Sequence, residues 1–347
     1  MEMKKSFLQS TLTAFFLMTV LLTGCHPIEE YENNNVGNFE ALWAVIDQHY
    51  CFLDEKGVDW DAVYEKYKPQ VNSTLGRQNL FIILADMLDE LKDGHVNLSA
   101  PFETSYYRKW WSDYPQNFDQ RIIEQYYFNF DYRSVGSVFY GWLPQGIGYI
   151  RYPSFSASLG AGNIDYILSY FSKAPALIID IRDNGGGEVL AADDLIGRFI
   201  SGRTLAGYIC HKTGPGHNDF SDPNPIYIDT PKGGHLLWNK PVVVLTNRST
   251  FSAANYFTMV MKNLPQVTVI GATTGGGCGM PFSSELPNGW GVRFSACPVY
   301  DVNGVCTEFG VEPSEGCQVD MDPVAAFYGH DTILDFAVDY LTGKVSL

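Results

Sequence analysis

Basic residues are scarce in this chain of 347: Lys and Arg number 23 against 39 Asp and Glu, a formal charge of −16. Phosphate backbones are gripped by Lys and Arg, so this balance argues against nucleic acid as the partner. Beyond residue 30 there is no run of about 18 apolar residues, and so no segment suited to span a bilayer as a helix. Cysteine occurs seven times, but without a CxxC pair or a His/Cys cluster, which argues against a zinc site. No repeat or low-complexity tract is evident. With 46% hydrophobic and 14% aromatic residues, the chain can fill a sizeable core and is too apolar for disorder. Its length suggests about two domains.

The first residues read as an address. Lys4 and Lys5 precede a largely apolar stretch over 7–22, followed by Thr23, Gly24 and Cys25. A basic start, an apolar stretch and small residues before a cut describe a secretory signal. The Leu-Thr-Gly-Cys ending resembles the bacterial lipoprotein cleavage box, whose Cys becomes the lipidated first residue of the mature chain. The plainer alternative is an ordinary signal with an incidental Cys. The expectation is a signal peptide over 1–24, lipidation at Cys25 and a polar tether over 25–36. The domain would then be exported and held by its acyl chain to a bacterial membrane, expected to be the outer one, on its periplasmic or surface side.

Apolar residues at helical spacing follow: Phe39, Leu42, Trp43, Val45, Ile46 and Tyr50, then Trp60, Val63, Tyr64 and Tyr67, then Leu80, Ile83, Met87, Leu88 and Leu91. They predict a small helical domain over 37–100, ending near Gly94, a suitable helix C-cap. An aromatic-rich connecting segment occupies 101–145. From about 146 onward, short β-rich runs (147–152, 176–181, 242–246, 267–271) alternate with helical ones (164–171, 189–200, 253–262). That alternation predicts an α/β domain over 146–347 with a largely parallel sheet. A hairpin of 292–298 with 305–308 and a closing helix over 324–341 complete it. Asn303-Gly304 is a strong two-residue turn signal and puts Cys306 opposite Asp301. The six cysteines after Cys25 allow fifteen pairings if the chain is exported, and most read as small buried apolar residues.

In parallel sheets, reactive groups gather in the loops beyond the strand carboxyl ends. Two loops qualify. Asp183-Asn184-Gly185-Gly186-Gly187 closes one strand with three glycines, which permit positive φ and close backbone approach. Their amides could cradle an anion, a phosphate or the oxyanion of acyl transfer, or the loop could be a plain tight turn. It has neither a P-loop nor GxGxxG spacing, so nucleotide binding is poorly supported. The second loop ends in Thr250-Phe251-Ser252-Ala253-Ala254. Ser252, just before an apolar helix, could be a nucleophile facing the positive helix end, though by position alone such a Ser is more often an N-cap. Ser249, deeper in the loop, is a weaker rival. His95 follows a helix end, where an exposed loop His is the ordinary case; as a base it need only reach the nucleophile in space.

Together, residues 92–98, 180–187 and 245–254, in this order, resemble the C-terminal-processing and tricorn-type serine peptidases. The helical segment and Gly271-Ala272-Thr273-Thr274-Gly275-Gly276-Gly277 also look like exported bacterial members. The resemblance covers roughly 38–320. It implies a ClpP/crotonase-like α/β catalytic core with a preceding small helical domain, no cofactor or metal, and peptides or unfolded proteins as substrates. Many members use a Ser–Lys pair, but here Gly277 falls at the Lys position. The nearest lysine, Lys262, lies about 15 Å along the helix that Ser252 begins. Tricorn-like members use Ser, His and an acidic residue instead. The matching residues are Ser252 as nucleophile, His95 as base and Glu308 as the orienting carboxylate, with Glu312 and Asp93 as alternatives. The amides of Gly185 or Gly186 and of Ala253 would receive the oxyanion. The stretch between Leu98 and Gly146 is too short for the PDZ insert that the family often carries. The expected activity is endoproteolysis. A catalytically silent peptide- or ligand-binding lipoprotein and an esterase-type hydrolase stay open, the latter without a Gly-x-Ser-x-Gly elbow.

Overall fold

The computed structural model describes residues 30–345; the signal segment and Cys25 lie outside the described residues. Three helices come first: α1 (Asn35–His49), α2 (Trp60–Tyr67) and α3 (Arg77–Asp89). Asn34 and Asp59 cap α1 and α2 by accepting from the amides of Gly37 and Ala62, which satisfies donors that the first helical turn leaves free. No described helix is long and apolar enough to cross a membrane.

Two sheets follow. The first runs β2 (Glu103–Thr104), β1 (Asn97–Ala100), β12 (Gly291–Tyr300), β7 (Thr204–Ile209), β8 (Asn224–Ile228), with β11 (Gly279–Glu285) also on β12; all its pairings are antiparallel. The second runs β10 (Val267–Gly271), β9 (Val242–Thr246), β6 (Leu177–Asp180), β5 (Gly148–Arg151), β4 (Val138–Trp142), β3 (Arg133–Val135). Its strands β5, β6, β9 and β10 are parallel, and β3 and β4 add an antiparallel edge. Helices α4 (Ala161–Tyr170), α5 (Val189–Ile196) and α6 (Ala253–Lys262) connect or follow the parallel strands.

Alternation along the parallel strands explains the layers. Leu177, Ile179, Val242 and Val244 face a core shared with α4, α5, α6 and the N-terminal helices. Ile178, Val243, Leu245 and Ile270 face a second core closed by Ile333, Leu334 and Val338. Each such buried aliphatic contributes roughly 1.5–3 kcal/mol. The N-terminal helices share the first core, and β1 joins them to β12, so they are built into the first sheet rather than docked on it.

Strands β9 and β10 and helix α6 have the expected limits. Three local expectations change. The second sheet extends backward through the antiparallel strands β4 and β3, inside the segment read as a connection. The closing helix is two, α7 (Pro323–Phe327) and α8 (Thr332–Leu341), broken at Gly329, whose φ is +86°. The main partner of β12 at this end is β11, not residues 305–308. The Asn303-Gly304 turn forms, but Asp301 Oδ1 accepts from the amides of both Asn303 and Val305. That cap lengthens the turn by one residue, so Cys306 bridges Tyr300 rather than Asp301.

Candidate active site

Strands β6 and β9 are parallel neighbours in register, with Asp180 beside Leu245. The loops that leave their carboxyl ends therefore emerge side by side. Asn247 accepts from the Asp183 amide through Oδ1 and donates to Asp183 Oδ1 through Nδ2. The Thr250 hydroxyl donates to Ile181 O, and the Phe251 amide donates to Asn184 O. Behind the first loop, Arg182 is fully buried between Asp180 and Asp331, with Asp331 at 2.8 Å. This fixed double loop delivers Ser252.

Ser252 has φ 58° and ψ −122°, and its side chain caps nothing. A non-glycine residue held there stores on the order of 1–3 kcal/mol. The hydroxyl meets His95 Nε2 at 2.8 Å, so the helix-tip serine faces an imidazole instead of its own helix. His95 enters from the turn between α3 and β1. Its amide donates to Asp93 Oδ1, while Tyr50 Oη and Ser295 Oγ donate to Asp93 Oδ2. The ring packs on Phe251 at 4.7 Å between centroids, and Phe251 stacks on Trp110 at 4.2 Å.

Gly277, where the resemblance would put a lysine in other members, has φ +78°. A Cβ there would lie 3.1 Å from His95 Cε1 and 2.5 Å from Phe251 Cε2. The space a side chain would enter is filled by the histidine and its aromatic support. Lys262 donates to Glu312 O on the protein surface, and the Glu312 side chain is exposed; neither reaches His95. Ser249 makes no hydrogen bond among the described residues and lines a separate cavity with Asn247 and Trp111.

Glu308 is buried, but its carboxylate turns to Lys56 at 2.8 Å and to the Cys278 amide at 3.0 Å. A direct hydrogen bond from His95 to Glu308, the geometry implied by an orienting role, is therefore not made. His95 Nδ1 is enclosed with no protein partner among the described residues. Lys56 also lies 3.5 Å from Asp93, so one ammonium serves two carboxylates. Nothing in the Glu55-Lys56-Gly57 turn marked Lys56 in the sequence. Tyr50 counted there only as an apolar residue, and Ser295 lay in an unremarkable strand.

Burial lowers the imidazole of His95 to about 4, with Arg293 and Lys56 adding to the drop against the pull of Asp93. The base is thus neutral at pH 7. Burial, then the charge of Asp93, raises Glu308 to about 7 against Lys56. Burial also works against ionising Asp93, but Lys56, His95 and the hydrogen bonds it accepts hold its carboxyl below the usual range. Lys56 stays above the ordinary lysine value despite its burial, because Asp93 and Glu308 flank it.

The glycine loop backs directly onto the serine. A Cβ on Gly186 would lie 2.8 Å from Ser252 Cβ and 2.9 Å from the Ala253 nitrogen. The Gly186 amide, however, already donates to Asn184 Oδ1. Among the described residues, the amides of Gly185, Gly187 and Ala253 have no acceptor. Two hollows meet at Ser252 and His95. One, about 190 Å³, is apolar and lined by Val189, Ile209, Ile226, Met259 and Met280. The other, about 380 Å³, is bounded by Tyr107, Trp110, Arg108 and Arg293 with Gly185 and Gly187.

A strained serine at a helix tip, an imidazole on its hydroxyl and a glycine loop beside it place the protein among α/β folds with a serine–histidine pair. The comparisons make the assignment particular. Residues 146–315 match peptidase family S41, and residues 31–89 match the tricorn protease C1 domain. A candidate peptidase from Parabacteroides merdae, known as a crystal structure, is 48% identical; the alignment covers 89% of this chain and 97% of that one, with TM-score 0.84. The chain belongs to peptidase family S41, whose members share the ClpP/crotonase-like core. A carboxyl-terminal-processing protease from Picosynechococcus is 26% identical over 206 residues, 56% of this chain and 45% of that protein. The chain thus spans less than half the length of such curated relatives. Mature CPAF complexed with lactacystin aligns over 90% of this chain and 98% of its own at 13% identity and TM-score 0.68, a likeness of fold alone.

Proposed function

We propose that the chain is a serine endopeptidase acting on peptides or partly unfolded proteins. The observation that carries this reading is the 2.8 Å contact of Ser252 Oγ with His95 Nε2. Ser252 attacks the scissile carbonyl carbon while neutral His95 takes its proton, then returns that proton to the leaving amine. Ala253 and Gly185 supply amides to the oxyanion, with Gly187 close by; one such donor is worth about 2.7–4 kcal/mol in comparable sites. The two hollows hold the chain on either side of the bond. Asp93, Lys56 and ionised Glu308 together carry one net negative charge, which stabilises the imidazolium through space rather than by a direct bond from Glu308.

A fluorophosphonate probe tests this: it should label the wild type at Ser252 and not Ser252→Ala, and only the wild type should turn over casein. A wild type that never labels would favour a second reading, a silent peptide binder. The engagement of Glu308 by Lys56, away from His95, is the observation on its side. Turnover of short acyl esters without casein would favour an esterase.

We also propose export and lipid anchoring at Cys25, on the Leu-Thr-Gly-Cys sequence. Metabolic labelling with an alkynyl fatty acid should mark the wild type and miss Cys25→Ala; equal labelling would remove the proposal.

A further inference from the structure

We propose that Cys278 and Cys306 are a disulfide-forming pair, a covalent staple between the two segments that hold Glu308. Their sulfurs stand 3.4 Å apart, the one thiol-to-thiol contact among the described cysteines. Both lie beside the end of β12: the Cys278 carbonyl accepts from the Val299 amide, and Cys306 bridges Tyr300. Their main chains are thus tied to adjacent residues of one strand. Closing from 3.4 Å to a bond of about 2.05 Å takes a shift of little over an ångström.

The surroundings set the order of events. Cys278 is buried and Cys306 half-buried, so an oxidant meets Cys306 first. The hydrogen bond from the Cys278 thiol, aided by the Glu308 amide, lowers the Cys306 thiol, whereas burial raises Cys278. With a disulfide as oxidant, the Cys306 thiolate attacks one sulfur and expels the other as a thiol, leaving a mixed disulfide. Cys278 loses its proton, attacks Cys306 Sγ and expels the second thiol. The protein loses two electrons and two protons, and the oxidant gains both.

The staple lies next to the site. Cys278 follows Gly277, where an added Cβ would lie 3.1 Å from His95 Cε1, and its amide holds Glu308 Oε2. Cys306 precedes Glu308 by two residues. The bond would fix the backbone on both sides of that hydrogen bond and close the loop between them, which restricts the unfolded chain.

The test uses the full chain, reduced and then exposed to oxidised glutathione, with thiols alkylated and peptides mapped by mass. The expected product is a single peptide pair joining Cys278 and Cys306, about 2 Da lighter than the two thiols. Cys306→Ser should lose it while the other cysteines stay alkylatable. Reduction should lower the wild-type Tm by about 4 °C or more and leave Cys306→Ser unchanged. Persistent alkylation of both thiols, a bond from Cys306 to Cys51, pairing between molecules, or a redox-independent Tm would each overturn the proposal. Ser252→Ala should form the same bond, so this result stands or falls apart from the peptidase reading.

Discussion

The two halves of the site are held by different forces. The Ser252 half sits on adjacent parallel strands, and hydrogen bonds linking Asn247 with Asp183, Thr250 with Ile181 and Phe251 with Asn184 lock its two loops together over the buried Arg182. The His95 half hangs on a buried charge cluster, Asp93, Lys56 and Glu308, assembled from an N-terminal turn, the α3–β1 turn and the segment after β12. In the first half, Arg182 keeps both of its buried carboxylates paired. The second depends on which of its carboxyls is ionised, because an unpaired charge in a buried site is costly.

The sharpest break of that contrast is Ser252→Ala, which removes the nucleophile and leaves the loops intact. Turnover should fall by at least about 10⁴-fold, with Tm within about 2 °C of the wild type; initial rates and thermal melts read the two together. A small Tm change with full activity would remove the assignment.

On the charged side, Lys56→Met should leave Asp93 and Glu308 buried without their cation. The expected loss is about 3–5 kcal/mol in urea unfolding at pH 8. Glu308 titrates near 7 in the fold, above its unfolded value. Below that pH it is neutral and needs no partner, so the loss should shrink at pH 5. A loss independent of pH would mean that Lys56 acts by packing alone.

Gly277→Ala probes the seam between the halves. Its positive φ and the contact with Phe251 and His95 should cost about 1–3 kcal/mol. The displaced imidazole should lower kcat more than it raises KM. Equal kinetics would show that His95 tolerates the shift.

The smallest effect expected is with Glu308→Gln. If ionised Glu308 supports the imidazolium, wild-type kcat/KM should rise with pH through about 7. The variant should lose that limb and keep only the His95 limb near 4, with a fall of about tenfold above pH 8. Wild-type and variant profiles of the same shape would exclude Glu308 from the chemistry.

Legibility followed the same division. Strands β9 and β10 and helix α6 were readable to the residue because buried β-branched runs and the apolar helix behind Ser252 are local patterns. Strand β11 was not: Gly279-Met280-Pro281-Phe282-Ser283 has no clean alternation, and its extended form comes from pairing with β12. The same holds for residues 305–308. After one bridge to Tyr300 they leave β12, and the Glu308 carbonyl accepts from the Gly277 amide. Ser252 read alone favoured an N-cap. Its backbone strain and its distance to His95 belong to the fold.

By itself, then, the order of residues determined the alternation of strands and helices, the glycine loop beside the serine loop, and the pairing of Ser252 with His95 through resemblance. Each rests on periodicity or on a short contiguous motif. Tertiary structure alone decided that Lys56 takes Glu308 away from His95, that Gly186 spends its amide on Asn184, and that two thiols meet beside β12. Those outcomes are set by which groups from distant segments share a low-dielectric space, where a few tenths of an ångström decide every partner.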